Sequence, residues 1–182
     1  MASDIHLLPA ARHMKARCIV FARLFCSGML LALLSGAALA TEPLFDRVDI
    51  EGQSGRLRDN ARGWLDLPES EQLRKMARAE SCTAIGGPRG TFKVADGALW
   101  LTGLHRCGGD VELSSVYPSM SRPVVATWVT GKLTAEFGNV VCWSKAGPPV
   151  FQRVANITVE AGKITVMSFN APQVEHCGRN PP

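Results

Sequence analysis

The chain predicts a mainly β fold, an antiparallel β-sandwich or small barrel preceded by one or two short helices, on three observations. Short β-forming runs separated by glycine turns recur through the second half. Turn signals return about every eight to twelve residues, the rhythm of a sandwich or barrel. Four cysteines, Cys82, Cys107, Cys142 and Cys177, lie beyond an apolar leader, the arrangement of an exported, disulfide-pinned scaffold.

The leader comes first. Residues 24–40, LFCSGMLLALLSGAALA, form an apolar run behind Lys15, Arg17 and Arg23 and end in Ala38-Leu39-Ala40. Basic residues, an apolar stretch and small residues at a cleavage site are the parts of a signal peptide. Its 17 residues fall short of the roughly 20 that a membrane helix needs. Residues 1–40 are therefore expected to be removed, delivering to an oxidising compartment a chain that starts at Thr41 and has no stable membrane span. The alternative is an uncleaved leader acting as a membrane anchor. A complete signal sequence would already open at Met14, which makes Met14 a candidate true start.

Charge narrows the function classes. Four of the 20 basic residues and one of the 16 acidic ones lie in the leader, so residues 41–182 are close to neutral, with 16 basic against 15 acidic. A nucleic-acid partner is not expected, since little net charge is left to neutralise phosphates.

Residues 41–90 read as an extended segment followed by helices. Residues 41–52 carry no strong pattern. In residues 56–65, Leu57, Ala61, Trp64 and Leu65 share a helical face. In residues 68–80, Pro68 sits near the start, Glu69 and Glu71 suit the positive end of a helix dipole, and Leu73, Met76 and Ala77 form an apolar stripe.

The β-domain is expected over residues 91–170. Residues 91–95 and 98–102 flank Asp96-Gly97, a hairpin signal. The same grammar returns around Thr130-Gly131 and around Glu160-Ala161-Gly162, with further strand candidates at 139–143 and 150–154. Residues 171–182 form a tail pinned by Cys177. Two disulfides are expected, in one of three possible connectivities; the favoured one joins Cys82 to Cys107, bracketing the first hairpin, and Cys142 to Cys177, holding the tail.

Several pieces of this region carry a resemblance. Asp96-Gly97-Ala98-Leu99-Trp100-Leu101-Thr102-Gly103, Tyr117-Pro118, Ala126-Thr127-Trp128-Val129-Thr130-Gly131-Lys132-Leu133 and Val159-Glu160-Ala161-Gly162-Lys163-Ile164 resemble an uncharacterised group of bacterial exported β-rich proteins, over about residues 94–164. The resemblance implies a β-rich fold and a bacterial, periplasmic setting. It implies no activity.

The site candidates follow from chemistry. His105 and Asp110 flank Cys107-Gly108-Gly109, where backbone N–H groups can meet an anion. Tyr117 and Trp128 are amphipathic aromatics of the kind that line binding faces. Together they point to a small binding or protein-interaction module for an envelope protein or small ligand, with no cofactor, metal or catalytic residue assigned. An envelope-acting hydrolase drawing an acid or base from Asp110, Glu112, His105 or His176 is the alternative. A third reading is a metal-handling protein that uses His105 and His176 with cysteine thiolates, although the spacing matches no zinc-finger pattern.

Overall fold

Three two-residue turns organise the sheet. Glu51-Gly52, Asp96-Gly97 and Ala161-Gly162 have φ of 56° and 79°, 51° and 70°, and 44° and 79°. Positive φ at both central positions is the type I′ geometry whose twist matches that of the flanking strands. Glycine at each second position supplies it without steric cost. The computed structural model describes residues 43–80, 87–120, 122–145, 147–172 and 174–179, all within one compact unit, Thr41–Pro182.

The first turn joins β1 (Asp46–Ile50) to β2 (Gln53–Asp59). This departs from the helix expected over 56–65. In β2 the alternation places Leu57 and Asp59 inward and Arg56 and Arg58 outward, and five register pairs tie it to the long strand β7 (Gly131–Ser144). The four apolar residues taken for a helical face are split between a strand and the loop that follows it. Gly55 explains why the strand wins. A Cβ there would sit 2.6 Å from Phe137 Cδ1 and 2.7 Å from the Glu136 carbonyl oxygen, so close packing of β2 on β7 requires glycine.

The second expected helix forms, as α1 (Glu71–Ala79). Ser70 caps it, its hydroxyl accepting the Leu73 N–H at 3.0 Å, which satisfies one of the orphan donors of the first turn. A four-residue helix, α2 (Leu113–Val116), buries Leu113 and Val116.

The second turn joins β3 (Arg89–Ala95) to β4 (Ala98–Arg106), and the third joins β8 (Pro149–Glu160) to β9 (Lys163–Asn170). The β-forming residues after Thr130-Gly131 and the strand candidate at 139–143 fuse into the single strand β7, bent at Gly138 (φ 74°) where the register with β8 shifts. Thr130-Gly131 is not a hairpin turn. The residues before it form only a two-residue strand, β6 (Val124–Val125), which pairs with β4. The short strands β5 (Gly109–Val111) and β10 (Cys177–Arg179) pair with β4 and β7.

The main path β7-β2-β1-β3-β4-β9-β8 returns on itself because β8 also pairs with β7, which makes a seven-stranded ring. A ring with an odd number of strands cannot be antiparallel throughout. The parallel pair is β1 with β3, Arg47 beside Thr91 through Ile50 beside Val94; the expected antiparallel pattern holds for every other pair. The β architecture thus begins at Asp46, well ahead of residue 91. Closure is weakest between β4 and β9, which meet only at Ala98 and Lys163. Beyond that point the edge of β4 passes to β6 and β5. The interior is filled by Val48, Ile50, Leu57, Phe92, Leu99, Leu101, Leu133, Ala135, Ile157 and Val159, all at most 1% exposed.

Candidate functional site

Both ends of the ring are occupied, so the interior is core. At the end of β1 and β2 remote from their turn, the loop of residues 60–70 crosses the opening and buries Leu65 to 3% exposure. Asp46, itself 1% exposed, accepts the Leu65 and Gly90 N–H groups at 2.7 Å each. It thereby ties the loop to β3. Burial pushes the Asp46 carboxyl up to about 6, against the lowering effect of those two hydrogen bonds and the Arg89 guanidinium. Asp59 closes the start of the loop, accepting Ala61 and Arg62 N–H at 2.8 and 2.9 Å.

The turn end is closed differently. Arg153 lies opposite Phe137 in the β7–β8 register and reaches across to Gln53 Oε1 at 2.5 Å and Glu51 Oε2 at 3.5 Å. Its guanidinium lies 3.7 Å from the centroid of the Phe169 ring, which in turn packs on Phe137 at 6.5 Å.

Concave space therefore lies outside the ring. Two hollows of about 550 and 820 Å³ adjoin along Arg47, Thr91 and Thr102, on the outer face of β1, β3 and β4. The first is completed by Asp110, Glu112, Ser114 and Arg122, the second by Asp49, Arg56, Lys93 and Glu136. Sizes in this range suit small-molecule and peptide ligands. Arg47 and Asp110 pair at 3.2 Å with side chains 55% and 84% exposed, an arrangement worth well under about 1 kcal/mol and easily opened.

His105 lies beneath this groove. It is 1% exposed, its Nδ1 stands 3.3 Å from Thr91 Oγ1, and the ring also hydrogen-bonds to the Phe45 backbone. Burial, with the nearby Arg47 charge, holds its pKa below the ordinary histidine value. A neutral imidazole donates to the Phe45 carbonyl through one nitrogen and accepts the Thr91 hydroxyl proton through the other. Thr102 Oγ1 meanwhile donates to the Thr91 carbonyl at 2.9 Å. Both threonine hydroxyl protons are thus committed within the protein, which leaves the two oxygens acceptor capacity only.

The four residues singled out from the sequence separate. Asp110 lines the groove and His105 underlies it. Tyr117 and Trp128 instead hold the loop at the Asp46 end. The Tyr117 hydroxyl donates to the Pro68 carbonyl at 2.7 Å, and Trp128 Nε1 donates to the Asp66 carbonyl at 2.9 Å. Tyr117 is 5% exposed, and burial raises its pKa to about 12. Arg47, Thr91, Thr102 and Arg122 escape a sequence reading. Only the alternation of residues 46–50, DRVDI, marks Arg47 as outward-facing.

The tail is held as expected by the disulfide Cys142–Cys177, with Cα atoms 5.6 Å apart. Cys107 is also disulfide-bonded; Cys82, the partner expected for it, lies outside the described residues. Among the described residues no group of three or more His, Cys, Asp or Glu side chains is placed to hold a metal, and no helix is long and apolar enough to cross a membrane. No family model, curated protein or solved structure matches this chain.

Proposed function

We propose that the chain is a small exported binding module of the bacterial periplasm that takes an elongated polar ligand, an extended segment of an envelope protein, along the β1–β3–β4 groove. The observation that carries this reading is the pair of adjoining hollows sharing Arg47, Thr91 and Thr102 on a ring whose interior is already filled. Arg47, Arg56, Lys93 and Arg122 line the groove together with Asp49, Asp110, Glu112 and Glu136, a balance that favours a near-neutral partner over a strongly charged one. The threonine acceptors suit the N–H groups of a peptide backbone. Export is supported by the leader, by the two disulfide-bonded cysteines of the Cys142–Cys177 bridge and by the bonded Cys107.

The groove is tested by amide chemical-shift mapping with short extended peptides taken from envelope proteins co-purifying with the chain. Saturable shifts centred on Arg47, Thr91, Thr102 and Asp110, lost in Arg47→Glu, support the module. Saturable shifts that map elsewhere, or ligand turnover abolished by Asp110→Ala, overturn it. Export is tested separately by intact mass: periplasmic protein starting at Thr41 is expected, and a mass that includes the leader overturns it.

A further inference from the structure

We infer that β9 is a docking edge for a second copy of this chain, which adds its own β9 in antiparallel register across a two-fold axis. The inference does not rest on the groove. β9 is hydrogen-bonded along its length to β8. On its other side, among the described residues, pairing stops at Lys163 and at the bond from Ile164 N–H to the Gly97 carbonyl, 2.8 Å. From Val166 on, alternate backbone N–H and C=O groups point away from β8, and no strand among the described residues receives them, the template that strand addition uses.

Folded proteins usually blunt such an edge with charge, proline, a β-bulge or a covering element. Here residues 164–170, ITVMSFN, hold no charged residue and no proline, and the register shift against β8 lies at the start of the stretch, between Ile164 and Val166, leaving residues 166–170 in regular register. Val166 is 58% exposed and Met167 37%. Being neighbours in a strand they lie on opposite faces, so the edge is apolar on both sides at its middle.

Two features favour a second copy as the occupant. An uncharged edge repels nothing, itself included; of the short edge strands, β5 carries Asp110 and β10 Arg179, and the uncharged β6 is only two residues long. The exposed apolar pair also sits at the centre of the open stretch. A two-fold axis near Met167 sets the two Met167 side chains beside each other and Val166 against Ser168 of the other copy. Both exposed side chains are then covered in one step, and the two β8–β9 hairpins become a continuous four-stranded ribbon. Pairing over seven residues buries less than the roughly 800 Å² per partner of a standard interface, so the dimer is expected to be concentration-dependent.

Sedimentation velocity on the purified chain, from about 5 to 500 µM, tests this. The expected result is a reversible monomer–dimer equilibrium that the double variant Val166→Lys, Met167→Lys weakens roughly tenfold or more, by setting like charges across the axis. Circular dichroism of the variant should match the parent. Single substitutions at either position serve if the double variant fails to fold. A chain that stays monomeric across the range overturns the inference, as does a dimer unaffected by the lysines. Slow hydrogen exchange at the β9 edge in a monomer also overturns it, because a segment of the same chain would then be the occupant.

Discussion

The two ends of the ring solve one problem with opposite chemistry. The loop end is closed by a buried leucine and a nearly inaccessible carboxylic acid that takes two backbone N–H groups. The turn end is closed by a partly solvated guanidinium lying on an aromatic ring. A buried group must have every polar atom satisfied or it costs stability, so the loop end is rigidly specified. A long cation that keeps its head near water tolerates replacement. Substitutions of equal size should therefore cost far more at the loop end than at the turn end.

Leu65→Ala gives the largest expected effect. Removing a buried leucine side chain typically costs about 2–5 kcal/mol. Here the loop also loses the anchor that holds its N–H on Asp46, which places the loss in the upper half of that range. Urea unfolding of parent and variant measures it. A loss under about 1 kcal/mol would mean that the loop does not seal the ring.

Proton linkage sharpens the contrast, because only the loop end buries an acid. The Asp46 pKa is about 6 in the folded chain against 3.8 for an unperturbed carboxyl, so the folded state holds its proton more tightly than the unfolded one. The stability this contributes is fully present below about pH 3.8 and is lost as pH rises through about 6, changing little beyond. A shift of this size corresponds to about 3 kcal/mol. Asp46→Asn removes the titration, so parent minus variant stability should fall across that window. A difference that stays level between pH 4 and 6.5 would place the ionised carboxylate in the fold at all these values.

Tyr117→Phe probes the same loop at one hydrogen bond. The hydroxyl holds the Pro68 carbonyl, and its removal should cost about 1 kcal/mol. The Leu65→Ala loss should be at least twice as large. Equal losses would mean that the loop is held from outside by Tyr117 and Trp128 as firmly as from within.

The same division explains what could be read from residues alone. Asp96-Gly97 announced its hairpin because an Asp-Gly pair between β-forming runs is a local signal, and Ser70 with the stripe of Leu73 and Met76 announced α1 for the same reason. Glu51-Gly52 makes the same turn but was obscured by the helical spacing of Leu57, Ala61, Trp64 and Leu65. Only Leu57 and Leu65 of these reach the core, while Trp64 is left exposed, and Leu57 does so through the pairing of β2 with the distant β7, of which local periodicity holds no trace. The groove was harder still. Asp110 stands out in the sequence for its place beside Gly108-Gly109, but Thr91 and Thr102 come near it through the β3–β4 and β4–β5 pairings, and Arg47 joins them through the parallel pairing of β1 with β3. The polar tips of Tyr117 and Trp128 hold a loop, a use that their chemistry alone does not separate from a place on a binding face.

Arg153→Met should have the smallest effect. The side chain of Arg153 is 35% exposed and that of its partner Glu51 is 64% exposed, so the ion pair is screened and adds little. The stack on Phe169 adds about 0.5–1 kcal/mol at a partly exposed site. Methionine keeps the unbranched stem and replaces the cation–ring contact with a sulfur–ring contact of similar strength. The bond to Gln53 is lost, but both groups there reach water. The net change expected is about 0.5 kcal/mol, read by urea unfolding. Raising salt should weaken the parent slightly toward the variant. A loss as large as that of Leu65→Ala would erase the contrast, because the turn end would then depend on its cation as strictly as the loop end depends on its buried acid and leucine.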